Sequence, residues 1–315
     1  MKKLLLLLLL VLIISSLGIY IFIPAKLTIT SSVAVKTTDN GTERFMLDEA
    51  QWKKWWNYDS ITVNPGYNMP SFIKGTDTYT LSQKFYKSGE IQIVHAGQPL
   101  HSKFTLIPLT LDSTGIEWNA VLTAGSDPYS RLIKYFEARE IKKNMDSVLG
   151  NLKQFLSKNE NVYGINIERD HLKDTLYVAA KSTLTTRPST PLVYELIKKI
   201  QAYITSHHQK QTGNPIYNVT EMATGNFQLM AAIPVEKELP EVNGFSMKHM
   251  VRGSFMITEV TGGEYAVNKA SRSLQQYFQD FRRTSMAMNF TMLITDRMYQ
   301  PDSTKWITRL YQPVY

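Results

Sequence analysis

At 315 residues, with 43% hydrophobic and 20% charged residues, the chain has room for two cores at about 150 residues per domain. Cysteine is absent, which excludes disulfides, thiolate metal sites, a cysteine nucleophile and a lipidated cysteine. The formal charge of +8 is scattered over predicted helix faces, without a basic stripe interleaved with aromatics or a helix-turn-helix, so no nucleic-acid partner is expected.

The chain opens on Lys2 and Lys3, followed by an apolar run from Leu4 to Ile23 broken only by Ser15, Ser16 and Gly18. A membrane crossing takes about 20 such residues, and there is no convincing small-x-small cleavage site near Ser15. Residues 1–26 are therefore expected to form an uncleaved transmembrane signal anchor that Pro24 ends. The two lysines place the N-terminus in the cytoplasm and the remainder outside it, as a single-pass membrane protein. Surplus basic residues would then favour anionic lipid headgroups, or simply solubility.

Residues 27–158 read as an antiparallel domain. Leu27–Thr30 and Val33–Val35 are strand-like, and Asp39-Asn-Gly41 reads as a hairpin-type turn. A short helix follows with Trp52, Trp55 and Trp56 at helical spacing. Alternating segments then run from Thr76 to Phe85, Glu90 to Val94, Phe104 to Leu111 and Ile116 to Leu122, where Ile116, Trp118, Ala120 and Leu122 share a face. A long helix from about Tyr129 to Leu156 closes the domain. This layout, with the Trp52-Lys-Lys-Trp55-Trp56 cluster, resembles the SRPBCC or START-like helix-grip fold. The resemblance implies a cavity for apolar ligands between helix and sheet.

Residues 159–315 repeat one unit. Two amphipathic helices, the first with Leu192, Leu196, Ile200 and Ile204 and the second with Ala266, Ala270, Leu274, Tyr277 and Phe281 on the apolar side, each precede a hairpin. Both hairpins end in Pro-Val, at Pro234-Val235 and Pro313-Val314, an offset of roughly 75 to 80 residues that suits one supersecondary unit per copy. The fold class expected for the whole chain is thus α+β: an N-terminal transmembrane helix, a helix-grip antiparallel sheet domain and a duplicated strand-helix-hairpin domain.

The duplicated half, and most specifically Ile294-Thr-Asp296 with Lys305 to Val314, resembles the GyrI-like effector-binding domain of multidrug-sensing regulators and free-standing ligand-binding proteins. The resemblance implies an aromatic groove between the two halves for amphipathic, often cationic, small molecules, with hydrolysis of small reactive compounds in some members. Family members commonly carry a glutamate five residues before the aspartate of that turn. Here the position is Thr291, which directs the reading toward binding rather than catalysis. Sheet aromatics would supply stacking faces, and Tyr217, Trp306 and Thr291 are the expected ligand contacts. Glu259 is the candidate acid, with Glu264 as its neighbour.

The other chemistries lack support. No two of the six histidines have the i, i+4 spacing of a zinc site, and no phosphate loop, dinucleotide turn or nucleophile elbow is present. No cofactor and no metal are expected. Backbone amides at Thr261-Gly262-Gly263 are a conceivable anion nest, with a plain glycine turn the favoured reading. The function read from the sequence is a membrane-anchored protein that senses or sequesters an amphipathic or aromatic ligand. The alternatives are a hydrolase of small electrophiles in the same groove, or a lipid carrier working through the helix-grip cavity.

Overall fold

The computed structural model describes residues 2–64, 69–172, 174–242, 244–250, 253–285 and 287–314. The chain divides into two compact units, residues 1–158 and 159–315. Both are mixed α and β, and each contains one antiparallel sheet.

The first unit begins with helix α1 (Lys2–Phe22). The expected membrane span is not upheld: among the described residues, no helix is long and apolar enough to cross a membrane. A crossing requires about 20 consecutive, predominantly apolar residues. Within α1 the apolar run is interrupted by Ser15, Ser16 and Gly18. The last turn of α1 is tied to the unit itself. Tyr20 donates to the Ser126 carbonyl at 2.6 Å, and Arg131 donates to the Ile23 carbonyl at 3.0 Å with its guanidinium 4.4 Å over the Tyr20 ring. The single-pass topology, the placement outside the cytoplasm and the membrane as a partner, all built on that span, are withdrawn with it.

Seven strands follow: β1 (Lys26–Val35), β2 (Ser60–Asn64), β3 (Met69–Lys74), β4 (Asp77–Phe85), β5 (Ser88–His95), β6 (Gln98–Thr110) and β7 (Ser113–Thr123), in the order β1-β7-β6-β5-β4-β3-β2. The first strand pairs with the last, setting Leu27 opposite Leu122 and Val33 opposite Ile116. Between β1 and β2 lie α2 (Asp39–Met46) and α3 (Glu49–Trp55). Asp39-Asn-Gly41 is the first turn of α2 rather than a hairpin turn, because the Thr38 hydroxyl accepts from the Gly41 amide at 3.1 Å and caps the helix. Trp52, Trp55 and Trp56 are buried, with Trp52 and Trp55 donating their indole N–H groups to the Met46 and Phe45 carbonyls. Helix α4 (Pro128–Leu156), capped by Asp127, then packs Ile141, Met145, Val148, Leu149 and Leu152 inward along β1 and β7.

The second unit contains α5 (Asn159–Tyr163), β8 (Glu168–His171), β9 (Leu176–Leu184), α6 (Thr190–Ser206), β10 (Ile216–Glu221), β11 (Phe227–Pro234), β12 (Phe245–His249), β13 (Ser254–Thr261), α7 (Glu264–Asp280), β14 (Phe290–Leu293) and β15 (Ile307–Val314). The strand, helix and hairpin order occurs twice, as β9-α6-β10-β11 and β13-α7-β14-β15. Its eight strands run β12-β9-β11-β10-β14-β15-β13-β8, so the short strand leading each repeat pairs with the other repeat. This exchange forces curvature. In a flat sheet the six gaps between β8 and β9 would separate them by about 29 Å, whereas the link from His171 to Leu176 reaches about 18 Å at most. The link from His249 to Ser254 is under the same constraint, and the two links meet where the Met250 amide donates to the Thr175 carbonyl at 2.7 Å.

The sheet therefore has two unlike faces. Both helices lie on one: α6 buries Val193, Leu196, Ile197 and Ile200 on Val178, Leu229 and Ile233, and α7 buries Val267, Ala270 and Leu274 on Met256 and Leu310. On the other face, which is concave, Tyr177 and Ala179 of β9 share a cluster with Phe255 and Ile257 of β13 and with Ile216, Phe290 and Tyr311. The two halves of the sheet join at β10 and β14, registered only at Ile216 opposite Met292 and Tyr217 opposite Thr291 among the described residues.

Candidate functional site

Strand alternation decides which face each side chain serves. Tyr217 and Thr291 are cross-strand partners and point to the helix side, while their neighbours Ile216, Phe290 and Met292 belong to the concave cluster. Above Tyr217 and Thr291 the chain forms a polar groove between α6 and α7. One part, of about 120 Å³, is lined by Tyr217, Thr291, Asn268, Ser271 and Gln275. A smaller extension of about 50 Å³ reaches Thr190, Glu264 and Arg297, and Arg187 borders both.

The charge of this groove is mainly positive. Arg297 donates to Thr308 at 2.9 Å and to Thr190 at 3.3 Å, lies 4.6 Å over the Trp306 ring, and leaves its Nε buried without a partner among the described residues. Its amide donates to the Tyr194 hydroxyl at 2.8 Å, which fixes the backbone beneath it. Among the described residues Arg187 reaches only the Asn268 side-chain oxygen, at 3.4 Å. Among the described residues neither guanidinium has a carboxylate partner. Burial pushes the Tyr217 phenol above its ordinary range; Arg297, a hydrogen bond with Thr291 and Arg187 act the other way, and Glu264 adds to the rise.

The four ligand contacts read from the sequence thus separate. Tyr217 and Thr291 meet in the groove. Trp306 sits just before β15, donates its indole N–H to the Gln300 carbonyl at 2.7 Å and approaches the groove only through Arg297. Glu259 stands on β13 in register with Arg309 and accepts from its guanidinium at 2.7 Å. Alternation puts it on the same face as Phe255 and Ile257, away from the groove. The acid at the groove is Glu264, in the first turn of α7. At Thr261-Gly262-Gly263 the Gly262 amide donates to the Trp306 carbonyl at 2.8 Å, a closed turn rather than an open nest. Sequence reasoning missed Arg187 and Arg297. The position of Arg297 immediately after Ile294-Thr-Asp296 was the available signal.

The concave face carries a second and larger cavity of about 280 Å³, which shares only Tyr217, Asn218, Asn289 and Phe290 with the groove. These residues form the seam where β10 and β14 part, closed by the Asn218 side-chain Nδ2 donating to the Asn289 carbonyl at 2.8 Å. In the first unit, Trp118 is fully buried between Trp56 and Tyr79 and donates to Ser102 at 2.9 Å, so rings fill the space beside it. No group of three metal-ligating side chains is found among the described residues.

No protein-family model and no curated protein matches the chain. Several solved structures resemble it. The C-terminal domain of EcmrR is 13% identical over 48% of this chain and 98% of its own, with a TM-score of 0.42, and EcmrR in a DNA complex is 14% identical over 59% and 71%, at 0.44. SAV2435 bound to tetraphenylphosphonium is 13% identical over 48% and 94%, at 0.34. Likeness at this level carries no weight for function.

Proposed function

We propose that the second unit binds a small, flat molecule in the groove between α6 and α7, and that it selects uncharged or anionic ligands over cations. The observation that supports this reading is the pair of guanidiniums, Arg187 and Arg297, at a groove whose floor is the Tyr217 phenol and the Thr291 hydroxyl. A ligand carboxylate meets two fork-shaped donors there and a phenolic donor beneath, an arrangement suited to bidentate recognition. A lipophilic cation meets the same two positive charges with only the exposed Glu264 to offset them. The Tyr217 ring supplies a stacking surface for a flat ligand.

The test is calorimetric titration of the full chain with benzoate and with tetraphenylphosphonium. Benzoate is expected to bind at least about tenfold more tightly, and Arg187→Gln to remove about tenfold of its affinity, the equivalent of about 1.4 kcal/mol. Preferred binding of tetraphenylphosphonium would overturn the reading.

A further inference from the structure

The concave face of the second unit holds a cavity that the groove does not use. Its walls are Ala179 and Ile216, Met230 and Ala232, Phe255 and Phe290, all on the face turned from the helices. At about 280 Å³ it has roughly twice the volume of an apolar cavity of ~150 Å³ that admits benzene, which is room for about two fused rings. The small side chains of Ala179 and Ala232 leave the space. Met230, Met250 and Met288 border it with flexible, polarizable side chains that adapt to a guest.

Two further features give the guest its chemistry. No aspartate or glutamate is among the described lining residues, whereas Lys248 and His249 are. His249 is engaged by Glu238 at 3.3 Å, but the exposed Lys248 has no carboxylate partner among the described residues. Lys248 stands on edge strand β12 directly opposite Tyr177 of β9, and cross-strand partners project to the same side of a sheet, so its ammonium belongs to the concave face. Tyr177 is itself fully buried in the cavity wall, and its hydroxyl has no hydrogen-bond partner among the described residues.

We propose that this cavity is a second ligand site, for an amphipathic carboxylic acid whose ring system lies between Ile216, Met230, Phe255 and Phe290 and whose carboxylate pairs with Lys248. Apolar burial supplies the attraction, and the ammonium at the edge strand selects the acid over its neutral counterpart. The site lies on the opposite face of the sheet from the groove and meets it only at the seam of Tyr217, Asn218, Asn289 and Phe290, and neither reading depends on the other.

The probe is 2-naphthoate, titrated calorimetrically into the full chain beside the neutral 2-naphthylmethanol. Saturable one-to-one binding is expected in Arg187→Gln, where the groove is weakened for carboxylates, and it should be at least about tenfold tighter for the acid, the equivalent of one charge contact. Ala232→Leu, which fills the cavity, and Lys248→Glu, which reverses the charge, should each weaken 2-naphthoate by a similar factor. Lys248→Glu lies on an exposed edge and decides the matter even where Ala232→Leu disturbs folding. The absence of saturable binding, equal binding of acid and alcohol, or indifference to Lys248→Glu would overturn the proposal. Loss of 2-naphthoate binding in Arg187→Gln would also overturn it and assign the molecule to the groove.

Discussion

His95 Nδ1 lies 2.5 Å from Asp77 Oδ1 across the register of β4 and β5, with both side chains buried. Facing a carboxylate oxygen, that ring nitrogen carries the proton. The other carboxylate oxygen accepts from Asn144 of α4 at 2.6 Å and from Tyr79 at 3.1 Å, so one residue ties the sheet to the closing helix. Asp77→Ala strands the buried His95 and Tyr79 donors together with the partly buried Asn144 and should cost about 3 to 5 kcal/mol. Thermal unfolding followed by circular dichroism should show the first unit melting about 10 °C or more lower. A shift of a degree or two would mean that the network contributes nothing net.

Buried tyrosines make the chain sensitive to alkali. Burial, the Asp77 charge and the hydrogen bond to Asp77 push the Tyr79 phenol above its ordinary range, and burial followed by Asp174 and Tyr311 does the same for Tyr177. Each has a higher pKa folded than unfolded, so its contribution is complete below the unfolded value of about 10 and is lost as pH rises toward the folded one, because the unfolded state releases its protons first. Tyrosinate absorbance and circular dichroism, recorded together from about pH 9 to about pH 12, should show a late group of tyrosines ionising in step with unfolding. Reversible ionisation of all 17 tyrosines with unchanged dichroism would contradict this.

Residues 159–315 bury three apolar clusters of their own, one beneath α6, one beneath α7 and one on the concave face. A fragment of those residues should therefore unfold in a single sigmoidal transition. A featureless melt would show that it depends on residues 1–158.

What the sequence revealed, and what it hid, follows from the range of the interactions. Alternation and helical periodicity are local: Ile116, Trp118, Ala120 and Leu122 are buried along one face of β7, and Leu196, Ile200 and Ile204 along α6. Local capping already misled, since Thr38 converts Asp39-Asn-Gly41 into a helix start. Hydrophobicity alone also misled at α1, where a run of leucines was read as a membrane crossing. The hollow of the second sheet depends on β8 pairing with β13 and β12 with β9, partners more than about 60 residues apart in the chain, which no local pattern encodes. The groove was half legible for the same reason. Tyr217 and Thr291 lie on strands whose inward positions alternation marks, but Arg187 and Arg297 come from loops, and Glu259 turned out to be committed to Arg309 on the other face.

The pairing of Tyr217 with Thr291 gives the sharpest test of groove chemistry. Thr291→Glu places a carboxylate beside a partly buried phenol and within the field of Arg297 and Arg187. The new charge should pair with Arg187, because Arg297 is already held by Thr308, Thr190 and the Trp306 ring, and so lower benzoate affinity by about tenfold or more. It should do little for tetraphenylphosphonium at first, because a carboxylate already paired with arginine has little attraction left for a ligand cation. Removing Arg187 as well, in Thr291→Glu with Arg187→Gln, frees the carboxylate, and affinity for tetraphenylphosphonium should rise by about tenfold over wild type. Glu259→Gln serves as the contrast: its exposed pair with Arg309 contributes under about 1 kcal/mol, and neither ligand should respond to it. Calorimetric titration of the wild type and the three variants with both ligands checks every step. Tight binding of the cation by wild type, lost in Glu259→Gln and indifferent to Thr291→Glu, would move the ligand out of the groove altogether.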